Sequence, residues 1–155
     1  MADESPQPKK MIIYMTVDWE GVSLVQDNIA AMQAFRKKFP HIPMLQLLNP
    51  VYFVRDGVNT ETIASTIRST FLPNDTHGLH VHAWKSLVHY CGVPYQFGFS
   101  YADANETCEA GDCGYTVSLE FAYSQEQLTQ LISCSSEVLV KNGFQQPKHF
   151  RAGGW

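Results

Sequence analysis

Short apolar runs alternate with amphipathic segments along this chain, and that order narrows the fold more than any other feature. Met11 to Val17 is a near-continuous apolar run, the pattern of a strand buried on both faces. A helix is expected from about Asn28 to Phe39, with Asp27 as its N-cap and Ile29, Met32, Phe35 and Phe39 along one side. Met44 to Leu48 reads as a second strand, closed by Asn49-Pro50. A second helix is expected from about Thr60 to Phe71 with Asn59 as cap, followed by a third strand from Leu79 to Trp84. Residues 87–117 show no clear period. Ser124 and Gln127 then form a capping box for a third helix that ends near Lys141 and Gly143. A last strand covers Lys148 to Arg151. Strand, helix, strand, helix, strand, helix, strand implies βαβ units around a mainly parallel sheet or barrel.

The bulk properties agree with one globular domain. The chain has 155 residues, 45% hydrophobic and 17% charged, with a net charge of −4 when His is neutral. A nucleic-acid partner is not expected without a basic field. Residues 1–10 read as a flexible tail and 11–155 as the domain. Met11 to Val17 is too short for a membrane span or a signal peptide, so a cytoplasmic chain is expected. In that setting Cys91, Cys108, Cys113 and Cys134 are expected as free thiols.

In parallel α/β folds the chemistry collects at the carboxyl ends of strands, and three such ends here carry polar groups. Asp18 and Glu20 follow the first strand. His80 and His82 lie two apart on the third, and side chains at i and i+2 of a strand leave the same face. Two imidazoles aimed at one point suit a transition metal. Arg151 ends the last strand. Each pair alone suits a solvated strand end. Together, on separate strands, they suggest a metal-dependent hydrolase.

These residues resemble the polysaccharide deacetylase family, the NodB-homology or carbohydrate esterase 4 group. Thr16-Val17-Asp18-Trp19-Glu20-Gly21 resembles its first motif, Gly78 to Trp84 its histidine motif, and Phe150-Arg151-Ala152-Gly153-Gly154-Trp155 its arginine motif. The resemblance implies a partial or distorted (β/α) barrel of NodB type. It implies metal-dependent hydrolysis of the N-acetyl amide of a saccharide, with a divalent ion, zinc foremost. Asp18 would be the general base and Arg151 its partner. Glu20 and His80 would be metal ligands. The family's second histidine stands four positions after the first, where this chain has Trp84, so His82 or His77 would supply that ligand. Trp19 and Trp84 are candidate substrate-binding residues, with packing as the competing role. Tyr95, Phe97, Phe99 and Tyr101 alternate as a sugar platform would, or as a strand burying one aromatic face. Later family motifs have no counterpart here, so the resemblance implies that the deacetylase-like domain over 11–155 is C-terminally incomplete and that the chain alone would be slow or inactive. The alternatives are a degenerate domain that binds a saccharide or partner, and a metal hydrolase resembling the amidohydrolases. An incomplete barrel would also expose apolar edges, making a homo-oligomer plausible.

Overall fold

The computed structural model describes residues 10–96 and 112–154. Residues 1–9 of the tail, the aromatic positions Phe97, Phe99 and Tyr101, and Cys108 and Trp155 lie outside the described residues.

Among the described residues, four strands form one all-parallel sheet: β1 (Thr16–Asp18), β2 (Leu45–Leu48), β3 (Thr76–Val81) and β4 (Phe150–Ala152). Their spatial order is β1-β2-β3-β4, so each strand lies beside its sequence neighbour. The sheet curls into a half-barrel, as expected of a partial β/α barrel. Strand order never reverses, unlike a doubly wound sheet.

Helices fill the connections. α1 (Gln26–Lys38) joins β1 to β2. A 3-10 turn (Pro50–Phe53) and α2 (Thr60–Arg68) join β2 to β3. The last connection holds α3 (Lys85–Tyr90), α4 (Leu119–Ala122) and α5 (Gln125–Lys141). The caps explain several boundaries. Asn59 accepts from the Thr62 amide at the start of α2. Ser124 and Gln127 bond reciprocally at the start of α5, satisfying two amides that the helix cannot. Asp27 is one correction: it lies in the first turn of α1 behind Val25, where no side chain caps the helix. Its charge still favours that end of the helix dipole.

The core lies between sheet and helices. Leu48, Leu79 and Val81 of the strands meet Ile67, Leu87, Val88, Leu131 and Leu139 of the helices, all almost wholly buried. Beneath β2 sits a buried polar node. Asp75 accepts from Arg36 at 2.6 Å, from the amides of Met44 and Leu72 at 3.0 Å, and from Gln46 at 3.1 Å. Four donors around one carboxylate compensate for taking it out of water.

Two expectations are overturned. The run from Met11 is not a strand buried on both faces. Met11, Ile12, Ile13 and Tyr14 are each at least 74% exposed, because pairing with β2 starts only at Thr16 opposite Leu45. β1 is an edge strand, and nothing among the described residues covers the chain before it. The cysteines are not free thiols either. Cys91 and Cys134 form a disulfide that ties the end of α3 to α5, and Cys113 is disulfide-bonded as well. Gln130 of α5 donates to the Cys91 carbonyl at 2.7 Å, and the Cα atoms of Cys91 and Cys134, 43 residues apart in sequence, come to 5.6 Å, within bonding reach. The expectation of free thiols followed from that of a cytoplasmic chain, a setting these bonds do not support.

Candidate metal centre

β1, β3 and β4 deliver their polar groups to one rim of the half-barrel. Past β1, the chain that carries Glu20 is pinned from below. Tyr52 donates its hydroxyl to the Glu20 carbonyl at 2.7 Å, and Asn49 donates to the Gly21 carbonyl at 3.3 Å. His80 of β3 and His82, one residue past its end, face the same way, as their spacing in extended chain requires. Both are nearly inaccessible to solvent, whereas the Glu20 side chain is 40% exposed.

The outer nitrogens fix the tautomers. His80 Nδ1 bonds the Arg151 carbonyl at 3.1 Å, and His82 Nδ1 bonds the Tyr115 carbonyl at 2.6 Å. A carbonyl oxygen only accepts, so both Nδ1 atoms carry the proton. Each neutral ring therefore presents a bare Nε2 lone pair. These two Nε2 atoms lie 3.0 Å apart, and His80 Nε2 is 3.3 Å from Glu20 Oε1. Facing lone pairs repel unless a proton or a cation sits between them.

That donor set fits a divalent metal. The three donor atoms of Glu20, His80 and His82 all lie within 4.8 Å of one another, so the group could hold an ion. Tetrahedral zinc with bonds of ~2.0–2.1 Å would set its donors about 3.3 Å apart. The His–His and His80–Glu20 separations are close to that, and His82 to Glu20 is longer at 3.9 Å. Both Nδ1–H···O=C bonds are the kind of support that metal-binding histidines use to set ring orientation.

The electrostatics favour unprotonated donors. Burial lowers the His82 pKa, helped by neighbouring His80, and this outweighs the Tyr115 carbonyl and the carboxylates of Glu20 and Asp18. For Glu20, burial pushes upward, but the Tyr115 hydrogen bond and the two imidazoles outweigh it and hold the carboxyl below its ordinary range.

Gly153 makes room for this arrangement. A Cβ there would stand 2.4 Å from three ring atoms of His82. The strand after Arg151 must therefore be bare where the imidazole crosses it.

Beside the donors, Arg151 donates to Asp18 Oδ1 at 2.7 Å and to Thr16 Oγ1 at 3.2 Å. Asp18 lines the same small cavity as Glu20, which places this pair on the same rim. His77 lies elsewhere. It sits near the start of β3, bonds the Gln145 carbonyl at 2.9 Å and packs against Phe71 and Phe144. Of the two histidines left open as second ligand, His82 is the one beside His80.

Neither tryptophan offers an exposed ring. Trp19 is buried and donates its indole N–H to Gln46 at 3.1 Å. It also lines a cavity of about 90 Å³ together with Asp18, Glu20, Leu24, Ile29 and Met32. Trp84 is buried with its ring centroid 5.8 Å from that of Tyr115.

Searches of family models, curated proteins and solved structures with this chain return no match.

One site residue was missed by sequence reasoning. Tyr115 stacks on His82 at 4.5 Å with the rings 10° from parallel, and its hydroxyl donates to Glu20 Oε2. It comes from the aperiodic stretch before α4, where only richness in aromatic residues marked it.

Proposed function

We propose that this chain is a metal-dependent deacetylase that hydrolyses the N-acetyl amide of a saccharide. The observation that carries this reading is the pair of bare Nε2 atoms beside the Glu20 carboxylate, with a second, Arg-paired carboxylate, Asp18, two residues earlier at the end of β1. One carboxylate and two imidazoles leave open positions on a divalent ion, zinc by the chemistry of the set. Bound there, such an ion supplies carbonyl polarisation and an acidified water.

The protein's own groups supply the rest. Glu20, His80 and His82 hold the donor geometry. Asp18 lies outside that set and serves as general base, taking the proton from water as it attacks the amide carbon. Arg151 aims Asp18 and keeps it from swinging toward the histidines. When the carbon–nitrogen bond breaks, the proton on Asp18 passes to the departing amine. The small cavity bordered by Asp18, Glu20, Leu24, Ile29 and Met32 suits the methyl of an acetyl group, being narrow and largely apolar.

The setting follows from the disulfides. Bonds at Cys91, Cys113 and Cys134 support an oxidising compartment as the working environment. No described helix is long and apolar enough to cross a membrane. The exposed Met11–Tyr14 run and half-exposed Phe150, at opposite edges of the sheet, support self-association.

The test is acetate release from N-acetylglucosamine oligomers by the zinc-loaded protein. With Asp18 serving as both base and acid, slow release that stops on adding a chelator and returns with zinc is expected. No release above the spontaneous rate, or release indifferent to the chelator, would overturn the reading.

A further inference from the structure

Tyr115 touches two of the three donor residues, through three different chemical groups. Its carbonyl accepts the Nδ1 proton of His82 at 2.6 Å, its ring stacks on the same imidazole, and its hydroxyl donates to Glu20 Oε2. The hydroxyl takes the carboxylate oxygen that does not face the histidines. Oε1 is thereby left toward His80 Nε2 and His82 Nε2.

The segment bearing Tyr115 is itself fastened. Asp112 accepts from the Ser86 amide at 3.0 Å, and the Lys85 amide donates to the Cys113 carbonyl at 2.7 Å. Gly114 has φ +113°, and a Cβ there would stand 2.0 Å from the Ala83 carbonyl oxygen. Only a glycine lets this segment lie so close to the end of β3. The chain is thus built to deliver Tyr115 to one place.

We infer that Tyr115 is a positioning residue of this centre, turning a single oxygen of Glu20 toward the two histidines and locking the His82 ring. The inference rests on the metal-site reading above. Without the hydroxyl, Glu20 is a 40%-exposed side chain on a loop, free to turn either oxygen inward or to swing into solvent. Partners of this kind, one step behind the ligands, typically change metal affinity 10–100-fold when removed, on the order of what is expected here.

The test is zinc affinity by competition with a chromophoric chelator, in a double-mutant cycle. Tyr115→Phe keeps the backbone carbonyl and the stacked ring and removes only the hydroxyl. It should weaken zinc binding by roughly 10–100-fold, with little change in Tm. In a Glu20→Ala background the same substitution should cost nothing further, because the hydroxyl acts through Glu20. The visible spectrum of the cobalt-loaded protein should change with Tyr115→Phe as well. Unchanged affinity in the Phe variant, or an equal loss with and without Glu20, would overturn the assignment. Failure of the unmutated protein to bind zinc would instead contradict the metal-site reading.

Discussion

His80 and His82 hold their Nε2 atoms 3.0 Å apart while both Nδ1 atoms are bound to backbone carbonyls. Neither ring can shift its proton inward without breaking a buried bond to Arg151 or Tyr115. Two lone pairs are therefore held face to face with Glu20 beside them. A fold stabilises such an arrangement readily when a cation completes it.

In the proposed deacetylase, Asp18 and Arg151 would separate catalysis from metal binding. Asp18→Asn keeps the side chain's shape and its bond from Arg151 but removes the base. Deacetylase turnover should fall by about 10²–10⁴-fold, while zinc affinity changes little because Asp18 is outside the donor set. Paired kinetic and metal-competition measurements check this. Loss of zinc together with activity would place Asp18 among the ligands.

The Cys91–Cys134 bond closes a 43-residue stretch of chain across α3 and α5. Constraining the unfolded chain over a loop of that size contributes about 2–4 kcal/mol. A Cys91→Ser, Cys134→Ser variant should lose stability of that order in urea unfolding. An unchanged midpoint would mean that packing of α5 alone holds the two helices.

Acid should destabilise the metal-free protein. The His82 pKa in the fold is below its ordinary 6.5, and that of Glu20 is below 4.5. In both cases the unfolded chain takes up the proton first. Their contribution is complete above about pH 6.5 and is lost as the pH falls, first through the titration of His82 and then through that of Glu20. Zinc affinity should fall in the same direction, since protons compete for the donors. Thermal unfolding of the metal-free protein across this range tests the sign. A Tm that rises on acidification would contradict it.

Much of the fold was legible because it depends on local rules. Alternating elements gave a parallel sheet, and Asn59, Ser124 and Gln127 marked their helix starts by side chains that reach only three residues. The H-x-H spacing placed His80 and His82 on one face because strand geometry leaves no alternative. What the sequence hid depends on distant partners. Met11 to Tyr14 carry the pattern of a buried strand, yet periodicity does not say what covers a face. Arg36 and Asp75 pair across 39 residues, and Tyr115 reaches Glu20 across 95. The oxidised cysteines were hidden for the same reason, since only the packing of α5 beside α3 brings Cys134 to Cys91.

The most direct test is the metal content of the purified protein by elemental mass spectrometry after incubation with zinc and removal of excess. A His80→Ala, His82→Ala variant and an intact control with retained fold should be measured beside it. The account predicts about one zinc per chain, lost in the variant. Equal zinc in both proteins, or none in either, would contradict the centre formed by Glu20, His80 and His82.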